Sequence, residues 1–188
     1  MRHPLDRPEV DALWIDAAAA LGLKVERTTE VYASSDGRGT LHIGTRETLD
    51  ADDCLAVLVL HELCHGFVQG RESFQQPDFG LDNTSVRDEA LELATLRLQA
   101  AFADTMGLRD VMFSTTEWRP YYEGLPADAL AIPEDPTEAL ITERARQGLR
   151  TAQAMGAVEP IAVALRGTRL IQRAVMRPRD AHDSHHRS

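Results

Sequence analysis

The stretch VLVLHELCHGFVQG, residues 57–70, carries two histidines and a glutamate inside an otherwise apolar run. An apolar run of this length that ends at a glycine, here Gly70, is typical of a buried helix. On such a helix His61 and His65 lie one turn apart on the same face, and Glu62 lies beside them. Burying these groups is costly because each loses its hydration. The fold must therefore place polar partners, or a metal ion, against this face of the helix.

His61, Glu62 and His65 form the pattern HExxH. Histidines four residues apart on a helix can both ligate one Zn²⁺, and the glutamate between them is placed to take a proton from a water bound at the metal. The alternative is that the pattern arose by chance on a core helix whose histidines are merely hydrogen-bonded. Because the burial penalty favours a metal site, we predict one Zn²⁺ per chain, with Glu62 as the catalytic base.

A catalytic zinc site needs a third protein ligand, and no histidine follows His65 until the C-terminal tail. The helix predicted at residues 85–108 offers two carboxylates. Glu89 lies on an otherwise apolar stripe, where a lone carboxylate needs a partner such as a metal ion, whereas Glu92 lies on an otherwise polar stripe that fits exposure to solvent. We therefore predict Glu89 as the third ligand. The alternatives that stay open are Glu92, Asp78, Asp82 and Asp88.

The sequence HELCH, followed from residue 89 by EALELATLRL, resembles the ImmA/IrrE-type metallopeptidases, in which a HELGH-like helix precedes a helix reading approximately EANxFAxxLL. The glutamate ligand of that pattern maps to Glu89. The resemblance covers residues 30–100 and implies zinc-dependent metallopeptidase activity on a zincin-like α+β fold, in which a small sheet and surrounding helices enclose the HExxH helix. This chain departs from the pattern at Leu91, where the family has Asn, and at Cys64, where it has Gly. It also lacks the closing Met-Pro.

The same resemblance identifies GTLHIGT, residues 39–45, as the strand that edges the substrate cleft. We expect a substrate to lie extended against this strand through main-chain hydrogen bonds. Alternation of apolar and polar residues predicts a hairpin between this segment and residues 24–34, with a Ser-Asp-Gly turn at residues 35–37.

Start and stop signals along the whole chain predict helices at residues 8–23, 50–70, 85–108, 137–155 and 159–176. Residues 117–136 have the composition of a loop. We divide the chain into a metallopeptidase core (residues 1–110), a C-terminal loop and helical extension packed on it (111–176), and a flexible tail (177–188).

Composition limits the partners and the compartment. The chain has 188 residues, 43% of them hydrophobic, which is enough for one sizeable core. Its 20 Lys and Arg against 30 Asp and Glu give a formal charge of −10, which disfavours nucleic acid and suits a basic peptide. Without a signal-like N-terminus or a long apolar run, we expect a cytoplasmic protein with a peptide or protein substrate and no membrane partner.

Two other functions stay open at this point. The chain could be a catalytically silent, metal-containing module that binds peptides or regulates a partner, although such a module has no need of Glu62. It could also be a metal-dependent hydrolase of non-peptide amides. Peptide hydrolysis further needs a donor that stabilises the oxyanion. The candidates for that donor are Tyr32, His42, Arg119, Tyr121 and Tyr122.

Overall fold

The computed structural model describes residues 2–82, 88–113 and 118–176. Over these residues the chain forms six α-helices and one three-stranded sheet, which confirms the predicted α+β class. The helices are α1 (Pro8–Ala20), α2 (Leu55–Gln69), α3 (Glu89–Asp104), α4 (Arg119–Glu123), α5 (Pro136–Ala154) and α6 (Val158–Met176). The strands are β1 (Lys24–Thr28), β2 (Ala33–Ser35) and β3 (Thr40–Gly44). The predicted tail at 177–188 and the predicted start of the third helix at 85–87 lie outside the described residues.

The sheet has the order β1-β3-β2, so β3 is its central strand. Strands β2 and β3 form an antiparallel hairpin, as predicted, with Ala33 opposite Ile43. The segment predicted as a single first strand instead divides in two, and its first part, β1, pairs with β3 in parallel. The prediction that residues 39–45 edge a cleft is therefore wrong, because both sides of β3 are already hydrogen-bonded. Of the two edge strands, β2 lies on the side of α2.

Helix α2 is the centre of the core. Every residue from Leu55 to Val68 is buried, as the apolar run predicts. Helices α1, α3 and α5 pack around it, and α6 packs against α1. The indole Nε1 of Trp14 on α1 donates a hydrogen bond of 3.1 Å to Thr168 Oγ1 on α6. The C-terminal helices thus contribute to the same hydrophobic core as the HExxH helix.

The ends of α2 follow local sequence signals. Gly70, with φ 99°, ends the helix, and its N–H donates to the carbonyls of Gly66 and Phe67. The helix begins later than predicted, since residues 50–53 precede it and Cys54 is its N-cap. Cys54 and Cys64 are both buried free thiols. Among the described residues, no helix is long and apolar enough to cross a membrane.

The segment after α2 is held against the β2–β3 hairpin by a close backbone approach. This segment contains a short 3₁₀-helix, Arg71–Gln75, followed by a tight turn at Pro77–Gly80. Gly37 in the hairpin turn has φ 65°, and a Cβ added there would lie 2.5 Å from the carbonyl carbon of Gln76. Only a residue without a side chain permits this contact.

We predict that Gly37→Ala destabilises the protein more than Gly22→Ala does. Both glycines have positive φ, 65° and 77°, so both substitutions introduce the left-handed strain of about 1–2 kcal/mol. A Cβ at Gly22 meets nothing within 4 Å, whereas one at Gly37 must displace the backbone of Gln76, an overpacking that costs about 1–3 kcal/mol more. Urea unfolding of both variants measures the difference, and equal losses would show that the contact is unimportant.

Candidate metal centre

Helix α2 brings the rings of His61 and His65 together. Their Nε2 atoms are 3.0 Å apart, and the rings lie nearly perpendicular with centroids 4.5 Å apart. The two histidines are 9% and 6% exposed. Both Nε2 atoms therefore lie close together in the buried part of the protein, the arrangement expected from histidines one helical turn apart.

Glu92 on α3 completes a three-residue group with these histidines. Its Oε1 lies 3.5 Å from His61 Nε2, and its Oε2 lies 3.1 Å from His65 Nε2. Ligand atoms that are each about 2.0–2.1 Å from a tetrahedral Zn²⁺ lie about 3.3 Å apart. The two Nε2 atoms are 3.0 Å apart, and each lies near a different oxygen of Glu92, at 3.1 Å for His65 and 3.5 Å for His61. All three separations are close to that value. Two imidazoles and one carboxylate thus fit a zinc ion, and within the described part of the chain no fourth metal-binding side chain joins them, as in a zinc site with an open position.

The structure corrects the preference for Glu89 as the third carboxylate of this group. Glu89 is the first residue of α3 and is exposed, whereas Glu92 is partly buried beside the rings. The apolar and polar stripes of α3 do not distinguish buried from exposed carboxylates, because the helix is covered on all sides beyond its first turn. Residues 93–100 are all buried, so the polar stripe faces α2 rather than solvent. Glu92 lies one turn after Glu89, and the expected register was wrong by that turn.

The loop aspartates are engaged elsewhere. Asp78 Oδ1 accepts a hydrogen bond of 3.0 Å from the backbone N–H of Ser35 on β2. Asp82 is exposed, and its backbone N–H donates to Asp88 Oδ2 at 2.6 Å. Among the described residues, the grouping of metal-binding side chains therefore includes Glu92 and none of these three aspartates.

Glu62 lies next to the group and is 8% exposed. Burial raises the pKa of its carboxyl to about 7, since the charged form loses its hydration. The ring of His61 lowers this pKa, whereas the carboxylates of Asp78 and Glu92 raise it. A carboxyl group with these surroundings can both accept and return a proton near neutral pH.

The pKa of Glu92 is shifted in the opposite direction, because this carboxyl group lies beside both histidines. Burial alone would raise the pKa of its carboxyl, but the rings of His61 and His65 outweigh burial and lower the pKa to about 2. The two neighbouring carboxyl groups, Glu62 and Glu92, thus differ strongly in proton affinity. Glu92 is the one that stays charged, as a ligand for a cation must.

The outer nitrogens of both rings contact the polar stripe of α3. His61 Nδ1 lies 2.9 Å from Gln99 Oε1, and His65 Nδ1 lies 3.2 Å from Thr95 Oγ1. Gln99 Nε2 in turn donates to the carbonyl of Met112 at 2.8 Å. Thr95 and Gln99 are fully buried. The sequence reasoning missed both, although Thr and Gln in line with a glutamate on a mostly apolar helix are the signal that could have identified them.

The five residues proposed as oxyanion donors have other partners. Each makes a hydrogen bond or ion pair away from the histidines. The Tyr32 hydroxyl donates to Asp53, His42 faces Glu26, Arg119 pairs with Asp52 and Glu123, Tyr121 bonds to Arg97 and Glu138, and Tyr122 donates to the carbonyl of Arg109. The described structure therefore gives none of them a contact with the metal group that would favour that role.

Comparisons of the chain with protein-family models, with curated proteins and with solved structures gave no match. The resemblance to the ImmA/IrrE-type metallopeptidases stays a prediction that depends on the HELCH motif and the helix after it.

We predict that Glu92→Gln weakens binding of a divalent ion, with Co²⁺ as a coloured probe, while Glu89→Gln does not. Glutamine preserves the size of Glu92 but removes the charge and the carboxylate ligand. The loss of affinity for the ion should be larger than the roughly 10–100-fold loss that follows removal of a residue hydrogen-bonded to a ligand, because here the ligand itself is removed. Glu89→Gln is the matched control, because the same change is made on an exposed residue of the same helix. Normal binding by the Glu92 variant would exclude this carboxylate as a ligand.

Proposed function

We propose that this protein is a zinc-dependent hydrolase that acts on peptide bonds as an HExxH metallopeptidase. The observation that carries the proposal is the group of His61, His65 and Glu92, whose nitrogen and oxygen atoms lie close enough together to share one zinc ion, with the carboxyl group of Glu62 beside it. A site that holds a metal only for structure is normally closed by four protein ligands. It also has no use for a buried base.

In the proposed reaction, His61, His65 and Glu92 would hold the ion, and Glu62 transfers the proton. When bound, Zn²⁺ would supply Lewis acidity to a water molecule and to the carbonyl of the scissile amide. Glu62 accepts a proton from the attacking water as its oxygen bonds to the carbonyl carbon. Glu62 then returns this proton to the amide nitrogen as the C–N bond breaks, which releases an amine and a carboxylic acid.

We further propose that the fold is zincin-like and related to the ImmA/IrrE type. The buried HExxH helix, the small sheet beside it and the glutamate from the following helix support this proposal. The register of the resemblance needs one change, because the glutamate next to the histidines is Glu92 and not Glu89.

The proposed position of an extended substrate moves from β3 to β2, since only an edge strand has main-chain groups available for pairing. One of these groups, the N–H of Ser35, is bonded to Asp78. A peptide that pairs at this residue must displace that carboxylate. The net charge of −10 favours a basic peptide.

We predict that the purified protein contains about one zinc per chain, as a single three-ligand site requires. Replacing the tail histidines His182, His185 and His186 with Ala should leave this content unchanged. Metal analysis after dialysis makes the measurement. If the metal is lost with the tail histidines, the ion belongs to the tail and the catalytic proposal fails.

We predict that Glu62→Gln keeps the zinc but loses hydrolysis. The substitution removes the base and leaves both histidines and Glu92 in place, so the rate should fall by about 10²–10⁴-fold. Cleavage of a proteome-derived peptide library, followed by mass spectrometry, compares the variant with the wild type and with Glu89→Gln. Cleavage at the wild-type rate by the Glu62 variant would exclude this residue as the base. A wild type that binds zinc but cleaves no peptide would instead favour one of the two other functions, a catalytically silent binding module or a hydrolase of non-peptide amides.

A further inference from the structure

Gln99 connects a histidine of the metal group to the protein backbone. Its side chain is fully buried between His61 Nδ1, 2.9 Å from its Oε1, and the carbonyl of Met112, 2.8 Å from its Nε2. Both ends of the amide therefore have a partner, and those partners lie on different elements. Such a connection restricts both the position of the His61 ring and the choice of the ring nitrogen that carries the hydrogen.

The Met112 carbonyl determines which way the amide of Gln99 faces. A carbonyl oxygen only accepts hydrogen bonds, so the end of Gln99 that faces Met112 must be the NH₂ group. The opposite end, which faces His61, is then the amide oxygen. This oxygen also only accepts, and so His61 Nδ1 must carry the hydrogen.

A neutral imidazole has one hydrogen on its two nitrogens. With the hydrogen on Nδ1, the lone pair of His61 is on Nε2, the atom that lies 3.0 Å from His65 Nε2 and 3.5 Å from Glu92 Oε1. This is the tautomer that can ligate a metal ion in the proposed site. The Met112 carbonyl thus selects the tautomer of His61 through Gln99.

Thr95 contacts the outer nitrogen, Nδ1, of His65 as Gln99 contacts that of His61, but it constrains the ring less. Its hydroxyl, 3.2 Å from His65 Nδ1, can donate or accept. Thr95 can therefore hold the ring of His65 in place without choosing between its tautomers. The contrast makes Gln99 the residue with the more specific role.

We propose that Gln99 is a positioning residue that holds His61 in the tautomer required for metal binding, an inference that rests on the proposed zinc site. A partner that accepts from the outer ring nitrogen fixes the orientation of a ligating histidine and raises its basicity. Gln99→Met, which keeps the length of the side chain but removes the acceptor, should lower zinc affinity by about 10–100-fold. Gln99→Glu restores an acceptor toward Nδ1 and should bind zinc at least as well as the wild type.

The experiment combines a competitive zinc titration with ¹⁵N NMR of the ring nitrogens in the metal-free protein. We expect the wild type and Gln99→Glu to show His61 protonated at Nδ1, and Gln99→Met to show a mixture of tautomers. Gln172→Met is the matched control, since Gln172 is a buried glutamine on α6 that accepts from Arg169. Its zinc affinity and the tautomer of His61 should equal those of the wild type. Thermal unfolding verifies that each variant is folded.

The outcomes separate this inference from the proposed function. Two results for a folded Gln99→Met variant overturn the role of Gln99 and leave the proposed zinc site unaffected. One is the wild-type tautomer of His61. The other is a mixture of tautomers together with wild-type zinc affinity. Weak zinc binding by Gln99→Glu as well as Gln99→Met would assign the effect to the lost bond with Met112, and also overturns it. A wild type that binds no zinc overturns the proposed function itself, whichever tautomer the NMR spectra show.

Discussion

Burial of two imidazoles and a carboxylate on α2 constrains every element packed around that helix. The apolar residues of α2 need apolar neighbours, which α1, α5 and the sheet supply. The face with His61 and His65 instead needs polar partners, because a buried ring nitrogen without one loses its hydration and gains nothing. Only a helix with both kinds of residue can pack there, and α3 is that helix.

Helix α3 meets this requirement with three residues on one stripe. Glu92, Thr95 and Gln99 recur at intervals of three and four residues, so they lie on one face. The carboxylate faces the inner nitrogens of both rings, while the hydroxyl and the amide face the outer ones. Each histidine is therefore bonded on both sides. This leaves the inner nitrogens directed at a common point, as a preorganised metal site requires.

Backbone strain occurs on the other side of the site. Asp78 and Phe79 have φ of 47° and 56°, unusual for residues with a side chain. Two features hold them there: the bond from the Ser35 N–H to Asp78 and the burial of Phe79, whose ring lies 5.4 Å from that of Phe74. In this conformation the carboxylate of Asp78 raises the pKa of Glu62. Strain of this kind, about 1–3 kcal/mol per residue, is concentrated at functional sites.

The pattern of residues on α2 was sufficient to predict a buried helix and the convergence of His61 and His65, because helical periodicity is a local property. The amino-acid sequence also predicted the α+β class and the hairpin between β2 and β3 from local alternation and turn residues. It did not predict that β3 is central, since strand order depends on where a distant segment, β1, pairs. Nor did it favour Glu92, which was only an alternative to Glu89. The rotation of α3 about its own axis is decided by all its neighbours together, and burial on every side removed the contrast between an inner and an outer face on which the choice of Glu89 depended.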